Sequence, residues 1–272
     1  MTTILTRPLG ATVRPGKVTP LRVLRSEWIK LRTVRSTSIT LLTAVAAMVG
    51  LGMLVTHLRA GDLNTRDLAH FNGAEVSLSM YRPAQLAIGV LGVLMFTGEY
   101  STGLIRATLT AVPRRLSMLA AKAAVFTGVV LVLMTAASFA AFFGGQAVLS
   151  SAHAHLSMRL SDPGVIRVVF GTALYLTVVG LLGVALGAII RSSAGAIATL
   201  VGILLVLPGL GALLPADWAQ HIDPYLPSNA GQAVLSIVPD PAMAPWTGLA
   251  LFAGYTVALL GIAAWLLKRR DA

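Results

Sequence analysis

The chain has 272 residues, 56% of them hydrophobic and only 11% charged, where ordinary soluble domains carry about 25% charged residues. With a mean hydropathy of +0.81, this composition excludes an ordinary water-soluble globule. The apolar residues lie in long blocks, which is the pattern of membrane spans, so one polytopic membrane domain is expected. The formal net charge of +11 does not point to nucleic acid, because the basic residues collect at span ends on one side. Cysteine is absent, which excludes disulfides, thiolate metal sites and a thiol nucleophile.

Residues 1–18 read as a mobile tail with Pro8, Pro15 and scattered arginines. A long polar and basic segment before the first apolar block argues against a cleaved secretory signal. Next comes TPLRVLRSEWIKLRTVRS, in which Leu21, Leu24, Trp28 and Leu31 recur at spacings that share one helical face. Arg22, Arg25, Glu27, Lys30 and Arg32 populate most of the rest. A basic amphipathic helix with a tryptophan belongs flat in the lipid interface; packing on a soluble partner is the other reading.

Six spans are then expected, near residues 36–56, 83–98, 119–149, 168–190, 194–214 and 246–267. The uncharged part of the second reaches only about 24 Å at 1.5 Å per residue, short of a hydrocarbon core of roughly 30 Å. It is expected to extend into its flanks, with Arg82 snorkelling. The third is long and should tilt. A tight turn at Arg191-Ser192-Ser193 joins the fourth to the fifth, and Pro208, Gly209 and Gly211 should kink or break the fifth. A proline-rich outer segment, about 215–245, precedes the sixth. The domain plan is therefore a tail and interfacial helix (1–35), a six-span domain (36–267) and a short basic tail (268–272).

Lys/Arg bias sets the orientation. Eight basic residues before the first span, four between the second and third, Arg191, and three at the C-terminus fall on one side. Arg59, Arg66, Arg82, Arg159 and Arg167 fall on the other. Both termini are thus expected in the cytoplasm.

Recognisable catalytic patterns are missing. There is no phosphate-binding loop of the G-x-x-x-x-G-K-[ST] type, no H-E-x-x-H and no G-x-S-x-G. His153 and His155 have no nearby carboxylate pair, and an exposed loop is the simpler reading than a metal site. The span centres hold almost no ionisable groups, and Glu99, Lys122 and Arg167 lie near span ends, where snorkelling suffices. The chain reads as a passive pathway or scaffold, not an enzyme, with its energy source elsewhere.

One stretch gathers scarce polar groups: MFTGEYSTGLIRATLTAVPRR, residues 95–115. It lies where the second span emerges in the cytoplasm. Thr102 is placed to cap a short helix from Gly103 to about Ala111, with Ile105 and Leu109 on one face and Arg106 near the opposite side. Pro113 ends it, and Arg114 and Arg115 sit at headgroup level. Such a surface helix can receive a push from a cytoplasmic partner.

Glu99-Tyr100-x-x-Gly103-x-Ile105-Arg106, then Pro113-Arg114-Arg115, then Lys122 resembles the first cytoplasmic loop of ABC-2 type permeases, the membrane subunits of ATP-binding-cassette exporters. The chain departs from the family at Leu104, where threonine is common, which removes a hydroxyl contact. LRVLRSEWIKLRTVRST resembles the connecting helix of these permeases. LGAIIRSSAGAIATLVGILLVLPGLGALLP and YLPSNAGQAV resemble the fourth-to-fifth-span hairpin and outer segment of actinobacterial members.

The resemblance implies an all-α integral membrane protein of the ABC-2 permease fold in a bacterial plasma membrane. It implies two six-span subunits, identical or different, each docking a separately encoded ATPase subunit. ATP and Mg would sit on that ATPase, and this chain would hold no cofactor. Glu99, Tyr100, Gly103, Arg106, Arg114 and Arg115 would couple to the ATPase. Glu99 would anchor the loop to the connecting helix through Arg25 or Lys30. For Arg114 and Arg115, contact with lipid headgroups is an equal alternative. The apolar spans favour a hydrophobic or amphipathic cargo. Two other readings stand beside the exporter: a non-transporting membrane scaffold or anchor of a signalling or resistance complex, and a membrane enzyme acting on lipid. The last lacks a recognisable polar cluster.

Overall fold

The computed structural model of the chain describes residues 19–61, 71–101, 115–152, 156–211, 213 and 215–269. Among the described residues, six helices are long and apolar enough to cross a membrane: span 1 (Arg35–Gly61), span 2 (Gly73–Tyr100), span 3 (Leu116–Ala152), span 4 (Val165–Ile190), span 5 (Ser193–Gly211) and span 6 (Pro245–Arg269). Helices are the expected solution, because an open segment in lipid must satisfy its own N–H and C=O groups. An amphipathic helix, Pro20–Thr33, precedes span 1. This is the architecture of a multi-pass membrane protein. An even number of crossings brings the end of span 6 back to the face where span 1 begins, here called the terminal face.

The boundaries differ from the expected ones in instructive ways. Span 2 consists of a short helix, Gly73–Leu78, and a long one, Tyr81–Ser101. Asn72 starts the first piece by accepting the Ala74 and Glu75 amides at 3.1 and 3.2 Å, which satisfies two N–H groups that a helix start leaves open. Arg82 and Glu99, which flank the uncharged stretch, both lie inside the helix, in line with the expected extension into the flanks. The helix containing span 3 is 38 residues long, about 57 Å at 1.5 Å per residue, so it must tilt or project beyond a core of roughly 30 Å.

Span 5 carries a π-helical segment, Gly202–Val206, immediately before Leu207 and Pro208. A proline has no N–H to give and clashes with the carbonyl one turn back; a widened turn there lets the helix run on. The described helix runs to Gly211, and Leu213 already lies in a turn, before the expected end at 214. Span 1 has a similar segment, Ala47–Leu51, without any proline.

The turn between spans 4 and 5 is as tight as expected. Arg191 adopts φ of 59°, in the left-handed region that few non-glycine residues enter. Its amide donates to the Gly187 carbonyl at 3.0 Å, closing the helix end, and the Ser192 side chain accepts from the Gly195 amide to open span 5.

Span 4 is the axis of the bundle and packs against spans 2, 3 and 6. Glycine allows its closest approach to span 2. A Cβ on Gly92 would collide with the Gly180 carbonyl oxygen, and one on Gly183 with that of Gly89. Close backbone packing of this kind drives association where water supplies no hydrophobic force. Tyr175, Phe96, Phe126 and Phe252 fill the remaining core.

At the face opposite the termini, neutral polar groups tie the elements together. Gln146 of span 3 donates to the Gly73 carbonyl at 3.1 Å and to Ser77 Oγ at 3.2 Å, and its Oε1 accepts the Met158 amide at 2.7 Å. The Tyr175 hydroxyl donates to Gln85 Oε1 at 2.6 Å. Tyr81 donates to Gln232 Oε1 at 2.9 Å. Arg167, expected to snorkel, instead donates to the Ile237 carbonyl at 3.0 Å, because the outer segment folds back within its reach.

Candidate functional site

The terminal face holds a cluster of four charges drawn from three elements. Glu27 and Lys30 lie three apart on the N-terminal helix, so they share a face. Glu99 occupies the last turn of the long helix of span 2. Lys122 lies about two turns into the helix of span 3.

The four side chains close into an alternating ring. Lys122 Nζ meets Glu27 Oε2 at 2.8 Å and Glu99 Oε1 at 2.9 Å. Lys30 Nζ meets Glu27 Oε1 at 2.8 Å and Glu99 Oε1 at 3.0 Å. Each ammonium therefore touches both carboxylates. Glu27 and Lys122 are each only 1% exposed, whereas the Lys30 side chain keeps 42% of its surface. A lone charge buried in such surroundings costs several kcal/mol, so the ring persists because every member has opposite-sign neighbours.

Lys30 shows the balance directly. Burial acts against its charge, but the hydrogen bonds and charges of Glu27 and Glu99 outweigh burial and raise its pKa above the ordinary lysine value. Glu99 Oε2 is buried with no hydrogen-bond partner among the described residues, so the carboxylate keeps one acceptor unused there.

Two further contacts fix the last turn of span 2. Ser193 Oγ, at the start of span 5, donates to Thr97 Oγ1 at 2.7 Å. The Arg191 guanidinium stacks 5.2 Å from the centre of the Tyr100 ring, a favourable cation–π distance, and Phe96 packs on the same ring at 5.8 Å. The end of span 2 is thus joined to the N-terminal helix, to span 3 and to the turn between spans 4 and 5.

Several expectations are met here and several are corrected. Of the two partners expected for Glu99, Lys30 reaches it, while Arg25 is exposed. Lys122 does not snorkel; it points into the protein because two carboxylates lie there. Glu27, assigned above to the solvent side of its helix, is among the most buried residues of the cluster. The helix therefore turns Glu27, together with Val23, toward the bundle. Val23 and Glu27 are buried and Leu24 and Leu31 half-buried, but Leu21 and Trp28 are 76% and 49% exposed. Hydropathy alone directs a glutamate outward; the ion pair with Lys122 reverses that.

Gly103, Arg106 and Arg114, with the short helix expected over 103–111, lie outside the described residues, as do His153 and His155. Arg115 opens the helix of span 3, and its side chain lies outside the description. The signal that could have revealed the ring was charge balance. Glu27 and Glu99 are carboxylates in segments where the Lys/Arg bias collects cations, and Lys122 is a cation set inside a span.

The ring contains no nucleophile with an adjacent base. Among the described residues, no three or more His, Cys, Asp or Glu side chains are grouped to hold a metal. The arrangement ties three elements to one another: the N-terminal helix, span 2 and span 3. No protein-family model matches the chain, and comparison with curated proteins finds no match.

Proposed function

We propose that the chain is the membrane-spanning subunit of an ATP-driven exporter of the ABC-2 type, with ATP and Mg bound on a separate ATPase subunit. The observation that carries this reading is the buried ring Glu27–Lys30–Glu99–Lys122, which couples an amphipathic surface helix to spans 2 and 3. In this reading the terminal face is cytoplasmic, in keeping with the Lys/Arg bias, and the membrane is a bacterial plasma membrane. An ATPase pressing on the surface helix, or on the segment after Glu99, displaces both together. Breaking the ring would leave charges buried without partners, so the displacement passes to the spans rather than being absorbed at the surface. A second permease subunit, the same chain or another, fits the apolar side chains exposed on spans 1 and 5, such as Ile39, Leu42, Val206 and Leu210, which lipid alone would also cover.

The test is affinity purification of the full chain in mild detergent, followed by identification of what accompanies it. A stoichiometric soluble ATPase with a phosphate-binding loop is expected. Glu99→Ala and Arg106→Glu should then lower ATPase-coupled transport at unchanged membrane insertion. Purification with a kinase or enzyme in place of an ATPase would favour the scaffold reading, and wild-type transport in both variants would remove the ring and loop from the mechanism.

A further inference from the structure

On the face opposite the termini, a cavity of about 670 Å³ opens between the ends of spans 1 and 2, span 4 and the segment before span 6. Small-molecule sites fall between about 300 and 1,000 Å³. Its walls divide by chemistry. Arg59 and Arg82 line it from the outer ends of their helices, with Tyr81 and Gln232. Val55, one turn inward from Arg59, and Leu58 supply an apolar wall. Thr172 also lines it, about 10 Å below the first residue of span 4 at 1.5 Å per residue. The Thr172 hydroxyl is spent on the Val168 carbonyl at 2.7 Å, so the cavity reaches inward without a free donor at that depth.

Among the described residues, the donors near the rim are not spent. Neither arginine has a carboxylate partner among the described residues, whereas each lysine of the ring at the other face has two. Arg82 makes only a long contact, Nε to the Tyr81 hydroxyl at 3.4 Å, with its guanidinium 5.8 Å from the centre of the same ring. Glu75 is the one carboxylate among the described lining residues, and its Oε1 already accepts the Ile237 amide at 2.6 Å. Ser79 Oγ, also in the lining, is buried without a hydrogen-bond partner among the described residues. Two guanidiniums above an apolar shaft match a ligand that has an anionic head and an apolar tail, and guanidinium forks suit carboxylate and phosphate oxygens.

We propose that this cavity binds an anionic amphiphile, its phosphate or carboxylate head held by Arg59 and Arg82 and its tail directed past Val55 toward Thr172. The site stands on the fold and its side chains alone and does not rest on the exporter reading.

The absence of cysteine makes the test direct. Ser236 lines the cavity, so Ser236→Cys in the full-length protein places a single thiol in its wall. Its rate of modification by a membrane-impermeant maleimide reports occupancy. In dodecyl maltoside, added dodecyl phosphate should slow the reaction in a saturable way. Arg59→Gln with Arg82→Gln should weaken the apparent affinity on the order of tenfold or more, as loss of charge-assisted hydrogen bonds requires. The Arg59→Lys, Arg82→Lys protein keeps the charge and should lose less; it also provides the comparison if the glutamine protein fails to fold.

Nanodiscs of phosphatidylcholine, with or without phosphatidylglycerol, separate the sources. Protection by phosphatidylglycerol alone would identify a membrane lipid, and protection only on adding dodecyl phosphate a single-chain ligand; both support the site. Equal protection by inorganic phosphate would overturn the amphiphile, and protection unchanged in the glutamine or lysine protein would overturn the role of the arginines.

Discussion

The two faces of the bundle are both held by polar side chains, but by opposite kinds. At the terminal face four ionised groups close a buried ring across the N-terminal helix, span 2 and span 3. At the other face the junctions are largely amides and hydroxyls, centred on Gln146 and on Tyr175 with Gln85, and the charged Arg167 and Glu75 bond to the Ile237 backbone rather than to opposite charges. A neutral hydrogen bond contributes about 1 kcal/mol net, so the outer junctions can loosen one bond at a time. A buried ion pair that loses one member leaves an uncompensated charge. The inner junction is therefore close to all-or-none, and the outer one is graded.

The largest effect should come from opening the ring. Lys122→Met leaves Glu27 and Glu99 facing each other with only Lys30 between them, and should lower stability by about 3–5 kcal/mol, read as thermal unfolding in detergent. Replacing Glu27 by Leu in the same protein should recover most of that loss, because an apolar pair of similar volume costs little. Failure of the second substitution to recover it would mean that packing, not charge, sets the effect.

Gly183→Val tests the helix contact between the two junctions. The added side chain meets the Gly89 backbone, and overpacking of this kind should cost about 1–3 kcal/mol, with the same readout. At the outer junction, Tyr175→Phe leaves Gln85 Oε1 without its 2.6 Å donor and should cost about 1 kcal/mol. Gln85→Leu added to it should produce little further loss. A strictly additive second loss would show that the two residues do not act through their mutual bond.

The smallest effect is a pH dependence. The Lys30 pKa is raised above its ordinary 10.5, so its stabilisation is fully present below that value and is lost as pH rises through the folded-state value. Lys30→Met should lack that part of the alkaline loss. Equal alkaline curves for the two proteins would remove Lys30 from the charge balance.

How much of this was legible in the sequence depends on the range of the signal. The spans were readable because an apolar run is local, and the turn at Arg191 because an Arg-Ser-Ser break between such runs is local too. The uncharged stretch of span 2 is too short to cross alone, which is why extension into its flanks is expected, and the helix does run past both Arg82 and Glu99. The burial of Glu27 could not be read from the N-terminal helix alone, because its partner, Lys122, is 95 positions away. The π-helical segment of span 1 left no sign in residue types, whereas that of span 5 lies beside Pro208. The outer cavity was out of reach for the same reason as the ring: Arg59, Arg82 and Gln232 meet only once spans 1 and 2 and the outer segment are folded together.

The ring has one more consequence. Two ammoniums and two carboxylates sum to zero, so shifting the whole unit along the membrane normal does almost no electrical work. A single unpaired lysine carried through the field would exchange about 2.3 kcal/mol for each 100 mV crossed. The intact ring therefore adds no net charge to a movement that passes through it, whereas a protein with one member neutralised would add a gating charge at that position.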